Sequence, residues 1–214
     1  MQDVEMINLW KAYEQKLEES LVLNKKNAVE ITKLKAKSLL ATMQPLKIFT
    51  IVTGIIWVAF VDIIIIASLN YSNIFFIASA TIQVLLTKAA IIVYVYQLIL
   101  IQQVNINDSI LQTQSRLATL KSSTIWVTRL LFLQFPAWTT FYLSKPMIVN
   151  SGVAFIIIQT IITAVFTYAG IWFFVNIKYE NRNKKWFRLI FNGKEWEPLI
   201  KSMEMLEQVK EYKK

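Results

Sequence analysis

Two long apolar runs separated by only four residues constrain the fold of this chain more than any other feature. Residues 48–69 and 74–101 form the runs, and residues 70–73 join them. As helices they measure about 33 and 42 Å at 1.5 Å per residue, against a hydrocarbon layer of about 30 Å. Because the joint is so short, the second run must return alongside the first. We therefore predict a transmembrane helical hairpin.

Two further apolar runs extend the prediction to four spans. Residues 125–143 form the third, about 28 Å long as a helix, with Ser123 or Thr124 as its N-cap and a kink at Pro136. Residues 153–175 form the fourth. The chain is 55% hydrophobic with only four Gly and four Pro, a composition too apolar for an ordinary soluble domain.

These runs divide the chain into three parts. We predict an all-α fold, in which residues 48–175 form an integral membrane four-helix bundle flanked by cytoplasmic amphipathic helices. The first flank, residues 1–47, is a charged helix that ends at Pro45. The second flank, residues 176–214, is a basic tail that lies at the membrane surface and ends in an amphipathic helix.

The distribution of Lys and Arg predicts the orientation of the bundle. With four spans both termini share one side, which carries 20 Lys and Arg residues, whereas the opposite loops carry one, Lys145. The positive-inside rule then places both termini in the cytoplasm. No signal-peptide pattern precedes the first run, so we expect a multi-pass protein of a bacterial inner membrane, inserted through its first span.

Each arm of the hairpin carries one charge within its apolar run, Asp62 and Lys88. The two positions differ in depth by about 10 Å at 1.5 Å per residue, which the long Lys side chain largely spans. An unpaired charge at such depth costs at least about 2.5–3.5 kcal/mol. We therefore predict that Asp62 and Lys88 form a pair that stabilises the hairpin, with a proton or ion relay as the alternative.

Small and polar side chains at helical spacing predict the packing faces of two spans. Hydroxyl-bearing and small side chains are common where membrane helices contact one another. The predicted positions on the second and fourth spans are Ser79, Gln83, Thr87, Thr160, Thr163 and Thr167.

An apolar stripe with a seven-residue repeat runs along the N-terminal helix. Such a stripe must be buried against another surface. Asn24 on this stripe is of a residue type that fixes the register of paired helices. Two alternatives stay open: the stripe packs on the chain's own C-terminal helix, or it binds a protein partner or a second copy of the chain. The stripe consists of Trp10, Tyr13, Leu17, Leu21, Asn24 and Ile31.

Cations near the predicted inner surface suit contact with lipid headgroups. Arg129 lies one turn inside the third span, where its side chain can reach lipid phosphates. Lys184, Lys185 and Arg188 surround large apolar side chains just after the fourth span. This mixture is typical of segments at an anionic lipid surface, so we expect the bilayer to be one partner.

The composition excludes several classes of chemistry. The chain has no Cys and no His, which removes disulfides, thiol catalysis and histidine acid–base or metal chemistry. It has no glycine-rich phosphate loop, no nucleophile elbow and no paired carboxylates within the spans. We therefore predict that it is not an enzyme and has no cofactor and no metal site. The net charge of +9 follows from topology and lipid contact, so no nucleic acid is expected.

Residues 9–24 carry a resemblance to a known family. They read Leu-Trp-Lys-Ala-Tyr-Glu-Gln-Lys-Leu-Glu-Glu-Ser-Leu-Val-Leu-Asn. This resembles the pattern Trp-x-Ala-Tyr-(Asp/Glu)-x-Lys-Leu-Glu-x-Ser-Leu-x-Leu-Asn, which opens an uncharacterised family of small four-span membrane proteins from Bacteroidetes. The remaining similarity is the layout of a charged helix followed by spans. The resemblance implies a genomic setting beside an alternative sigma factor and an anti-sigma-like signalling role.

Two functions are consistent with these features. The first is a non-catalytic regulatory or scaffold protein whose cytoplasmic helices bind a protein partner, because the amphipathic faces lie outside the spans. The second is a small transporter or channel subunit that uses Asp62 and Lys88 in a polar path. The lack of an internal repeat and the scarcity of Gly in the spans weigh against the second function.

Overall fold

The computed structural model describes residues 2–69, 73–105, 108–191, 193 and 195–211, so the predicted joint at residues 70–73 lies largely outside the described residues. All regular structure within them is helical, which confirms the all-α prediction. A 3-10 turn, Tyr179–Asn181, precedes the last two helices. The helices are α1 Gln2–Ala41, α2 Gln44–Ser68, α3 Ile74–Gln102, α4 Ile110–Phe132, α5 Phe135–Thr140, α6 Lys145–Asn150, α7 Val153–Asn176, α8 Lys185–Phe191 and α9 Glu197–Glu211.

Three helical stretches in the described part of the chain are long and apolar enough to cross a membrane. They are Met6–Ser68, Ile74–Gln102 and Val153–Asn176. The first stretch begins within α1 and includes α2, and the two helices follow one another through a turn at residues 42–43. Pro45 lies in the first turn of α2, where its missing amide hydrogen costs no helical hydrogen bond. The preceding helix ends four residues before Pro45, at Ala41.

α2 and α3 form an antiparallel hairpin. Gly54 of α2 lies against Ile91 of α3, since a Cβ added at Gly54 would lie 3.2 Å from the Ile91 side chain. Further along, Asp62 contacts Lys88. The Asn73 side chain accepts a hydrogen bond from a backbone N–H in the first turn of α3 and so caps this helix. The hairpin is thus closely packed along its length.

The predicted N-cap of the third span is wrong. α4 begins at Ile110, and Ser109 and Gln112 form a capping box in which each side chain accepts from the other's backbone N–H. This box satisfies two of the amide donors at the helix start, so the helix begins well before the apolar run does. Ser123 and Thr124, the predicted N-caps, consequently lie inside α4.

The third predicted span is also not one continuous helix. It is interrupted at residues 133–134, where the Leu133 and Gln134 amides donate to carbonyls three residues back, and α5 then runs only from Phe135 to Thr140. Pro136 lacks an amide hydrogen and crowds the preceding turn, so the helix breaks there and does not simply kink. Neither α4 nor α5 is among the described helices that are long and apolar enough to cross a membrane.

α7 packs on this interrupted stretch through aromatic rings and one glycine. The rings of Phe132 and Phe173 stack with centroids 4.4 Å apart, and Phe135 meets Phe132 edge-on at 5.2 Å. A Cβ added at Gly170 would lie 2.9 Å from the Phe132 carbonyl oxygen, so only glycine permits this approach. The contact joins α7 to α4 and α5.

A second centre of packing lies where α9 meets the end of α1. Four elements contribute to it: the C-terminal third of α1, the end of α3, the first half of α4, and α9. We call it the junction core, because it joins the terminal helices to the hairpin. Its buried members are Ala36, Leu40, Met43, Leu100, Ile101, Val104, Leu117, Leu120, Leu199 and Leu206.

Candidate functional site

The predicted stripe on α1 is exposed. The side chains of Trp10, Tyr13 and Leu17 are 73%, 66% and 62% accessible, and Leu21 and Ile31 are also more than half accessible. Asn24 is exposed between them. Large apolar side chains exposed in one continuous stripe are unusual on a protein without a partner for that surface. The stripe is therefore the leading candidate for a functional surface.

α9 does pack on α1, but on a different face from the stripe. The contact uses Ala36 and Leu40, and the Ser202 hydroxyl lies 3.2 Å from the Ala36 carbonyl oxygen. At 100° per residue, Ile31 of the stripe points about 140° away from Ala36. The alternative in which the stripe packs on the chain's own C-terminal helix is therefore wrong for this face. α1 carries a second, shorter apolar face, and α9 covers that one.

The stripe borders a groove between α1 and the far end of α9. Leu21 and Asn24 form part of one wall, and Met205 and Gln208 of α9 form part of the other. The groove has a volume of about 640 Å³ and is open to solvent. An open groove with an exposed apolar stripe beside it can accept an amphipathic helix.

A buried polar cluster links the tail to the hairpin beneath the junction core. The Lys47 ammonium is fully buried, and it donates to the Gln97 side-chain oxygen at 2.5 Å and lies 3.7 Å from a Glu195 carboxylate oxygen. It also lies 4.7 Å from the centre of the Tyr94 ring. The Gln97 amide in turn donates to the Ser123 hydroxyl. A buried cation without such partners would be strongly destabilising, so these contacts let Lys47 remain inside.

Sequence reasoning missed this cluster. Lys47 reads as an ordinary boundary residue before the first span, and Glu195 is nearly 150 residues away in the sequence. The sequence nevertheless held one signal. Tyr94 and Gln97 extend the polar face of the second span to its end, which in a hairpin lies beside Lys47 at the start of the first span. Only the folding of the tail back onto the hairpin brings Glu195 to that face.

Asp62 and Lys88 form an ion pair of 2.9 Å between α2 and α3. Their side chains are 38% and 48% accessible, so the pair lies on the outside of the hairpin. The direct contact satisfies both charges within an apolar stretch, as insertion energetics require. Each group has the other as its partner, which is the arrangement of a pair that stabilises a hairpin.

The two predicted packing faces differ in the structure. On α3, Ser79 and Gln83 are buried, and the Ser79 hydroxyl forms a 2.8 Å hydrogen bond with that of Thr140. Thr87, also on α3, accepts a hydrogen bond from the Gln134 side chain, so this face packs on the interrupted stretch.

On α7 the predicted face is largely open. Thr160 is exposed, and the Thr160 and Thr167 hydroxyls donate to carbonyls of their own helix four residues back. Together with Thr163 they line an open apolar groove of about 690 Å³. The packing prediction is wrong for Thr160, because α7 contacts its neighbours through Gln159, Gly170 and aromatic rings instead.

The predicted headgroup cations divide into two sets. Arg129 donates through Nε to the Phe174 carbonyl at 2.5 Å, and its guanidinium lies over the Phe174 ring. Carbonyls in the last turn of a helix lack an intrahelical donor, so Arg129 binds the end of α7 and is not directed only at lipid. Lys184, Lys185 and Arg188 are exposed around α8, where a lipid surface could reach them.

The described residues contain no group of three or more Asp, Glu, Cys or His side chains that could hold a metal ion. No protein-family model, no curated protein and no solved structure matches this chain. The function must therefore be argued from the surfaces described above.

Proposed function

We propose that the protein is a non-catalytic regulatory or scaffold protein of a membrane, and that α1 binds a protein partner through its exposed stripe. One observation carries this proposal: α9 covers the shorter apolar face of α1 and leaves the longer one, from Trp10 to Ile31, accessible. Leaving so much aromatic and aliphatic surface in water costs free energy that a partner would recover.

The junction core gives the stripe a physical connection to the spans. α1 is continuous from Gln2 to Ala41, and its last turns are buried against α3, α4 and α9. Below them Lys47 ties the start of α2 to Gln97 of α3 and to Glu195 of the tail. A partner that changed the tilt of α1 would therefore also displace the side chains of the hairpin that pack against it.

The membrane placement is part of the proposal. We take α2, α3 and α7 as continuous spans and α4 with α5 as an interrupted fourth, with both termini in the cytoplasm of a bacterial inner membrane. The basic segment around α8 then lies at the anionic inner surface, where Lys184, Lys185 and Arg188 meet lipid headgroups. This arrangement places the stripe in the cytoplasm, within reach of soluble proteins.

The resemblance of residues 9–24 supports one class of partner in particular. The residues that carry it include Trp10, Tyr13, Leu17, Leu21 and Asn24, which are members of the exposed stripe. An anti-sigma-like role would require this surface to bind a sigma factor and hold it at the membrane. Regulation by sequestration needs no catalytic group.

The test is a crosslinking pull-down from native membranes with a tag at the C-terminus. We compare the unchanged chain with a variant in which Trp10 and Leu17 are both replaced by Glu. The matched control replaces Asn8 and Gln15 by Glu, which adds the same charge on the opposite side of α1. Loss of a captured protein in the stripe variant alone supports the proposal, and equal capture by all three chains overturns it.

Transport is the second candidate, favoured by the ion pair between Asp62 and Lys88 within the apolar hairpin. Asp62→Asn in liposomes that contain the purified full chain tests it. Ion or proton flux that the unchanged chain supports and Asp62→Asn abolishes would establish this function. Equal flux in the two chains and in empty liposomes would exclude it for the ions examined.

A further inference from the structure

The exposed stripe of α1 has the pattern of a two-stranded coiled coil. In a seven-residue repeat abcdefg, Trp10, Leu17, Asn24 and Ile31 occupy the a positions. The d positions are Met6, Tyr13, Ser20, Asn27 and Leu34, so the apolar d residues lie towards the two ends of the segment, where Met6 and Leu34 are each about half accessible, and Ser20 and Asn27 are polar positions on either side of Asn24. Residues 6–34 form about four repeats, about 43 Å of helix, which is long enough for stable pairing.

We propose that α1 pairs with α1 of a second copy of this chain, as a parallel, in-register coiled coil with Asn24 facing its own counterpart. This inference rests on the proposed function, since it names the partner of the same stripe. Asn24, at an a position, gives the strongest support for pairing between two copies. A side-chain amide has both a hydrogen-bond donor and an acceptor. Two copies of Asn24 across a two-fold axis therefore hydrogen-bond to each other in the register that places them face to face.

The membrane anchor supplies the parallel direction. Each α1 continues into α2 through the turn at residues 42–43. Two copies inserted in one bilayer with the same orientation therefore present their α1 helices side by side and pointing the same way. Position 24 of one copy then lies at the same height as position 24 of the other.

The charges of α1 permit self-association. Between residues 6 and 34 there are five Lys and four Glu, so this segment has a net charge of only +1 in a chain of net charge +9. Two such segments approach with little net repulsion, whereas two copies of a strongly basic segment would not. The five Lys are 11, 16, 25, 26 and 33, and the four Glu are 14, 18, 19 and 30.

α9 leaves room for the second helix. It covers the face of α1 around Ala36 and Leu40, about 140° from Ile31. A helix lying on the stripe would enter the groove between Asn24 and Met205, and would contact α9 without displacing it. The dimer would then contain two α1 helices at its centre with one α9 beside each.

Single cysteines test this arrangement cleanly, because the chain has no Cys of its own. The full chain is reconstituted in lipid vesicles at low protein density and treated with a mild oxidant. Leu17→Cys should form a disulfide-linked dimer in most molecules, since facing a positions lie about 6 Å apart between Cα atoms, within disulfide range. Gln15→Cys is the matched control, an exposed site on the opposite side of α1 that should stay at background.

Three outcomes would overturn the pairing. They are equal crosslinking of Leu17→Cys and Gln15→Cys, no crosslinking of either Leu17→Cys or Asn24→Cys, and crosslinking between Trp10→Cys and Ile31→Cys chains, which would show antiparallel helices. A mass measurement without cysteines gives a second test: the unchanged chain and Gln15→Glu should be dimers, and Leu17→Glu should be a monomer. A monomeric unchanged chain that still captures a different protein through the stripe would overturn the pairing and leave the proposed function intact.

Discussion

The N-terminal and C-terminal parts of α1 differ in what covers their apolar side chains. In the C-terminal part, Ala36 and Leu40 are fully buried against α3, α4 and α9. In the N-terminal part, Trp10 and Leu17 are exposed although they too are large apolar side chains at regular spacing. The same helix therefore completes a core at one end and presents an apolar surface at the other.

The comparison shows that amphipathic spacing does not by itself identify what a face contacts. α9 has 15 residues, about 22 Å of helix, and can cover only the corresponding length of α1. The first 20 residues of α1 extend beyond it. A chain that needed α1 only to support its own core would gain nothing from Trp10 and Tyr13, which is why we assign them to a partner.

The largest expected effect is at the buried end. Leu40→Ala should destabilise the docking of α9 by about 2–5 kcal/mol, because a fully buried Leu leaves a cavity when truncated. Leu17→Ala should change it by less than about 0.5 kcal/mol. Hydrogen exchange of α9 amides in the reconstituted chain measures both, and a loss of protection equal in the two variants would contradict the division of α1 into two parts.

A smaller effect is expected beneath the junction core. Glu195→Gln should weaken α9 docking by about 1–2 kcal/mol, because Lys47 stays buried with Gln97 but without an anion. Glu197→Gln is the matched control, since Glu197 is exposed and pairs with Lys201 at 3.9 Å, one turn along the same helix. Proteolysis of the tail measures the difference, and equal cleavage rates would show that Glu195 does not hold the tail in place.

A still smaller effect is expected at the contact between α9 and α1. Ser202→Ala should cost about 0.5–1 kcal/mol, because its buried hydroxyl can donate to the Ala36 carbonyl or to that of Pro198, only one of them outside α9. Thermal unfolding in detergent, followed by circular dichroism, checks this. Destabilisation as large as that of Leu40→Ala would mean that the hydroxyl, and not apolar packing, holds α9.

The smallest effect on stability should come from the largest deletion. A chain that starts at Leu21 lacks the first half of α1 but keeps all of the junction core, so α9 protection should change by less than about 0.5 kcal/mol. The same deletion should abolish dimer formation, because it removes Trp10 and Leu17. If the shortened chain remains a dimer in vesicles, the contact between copies lies elsewhere.

The fold was predictable where the cause is local. The two hairpin arms and α7 follow from runs of apolar residues, and the pairing of Asp62 with Lys88 follows from the cost of a lone charge in such a run. The N-cap was misplaced at Ser123 or Thr124, because the capping box at Ser109 begins α4 well before the change in hydrophobicity near Ile125. The break before Pro136 was placed correctly but underestimated as a kink.

The candidate site was predictable only in part, for a different reason. The seven-residue repeat identifies the residues of the α1 stripe but not what they contact, because buried and exposed apolar faces of a helix have the same periodicity. The headgroup role of Arg129 was predicted from its depth alone, whereas its contact with the Phe174 carbonyl depends on where α7 ends. Contacts between distant segments leave little trace in a single sequence.

The sequence by itself determined the helical class, the apolar hairpin and the residues of the stripe, because these depend on periodicity and on the transfer free energy of each segment. Only the tertiary structure decided that α9 covers the face of Ala36 and Leu40 and leaves that of Trp10 and Leu17 accessible. It also decided that Lys47 meets Glu195. Both outcomes depend on how the tail returns to the hairpin, and that path is set by packing among segments far apart in the chain.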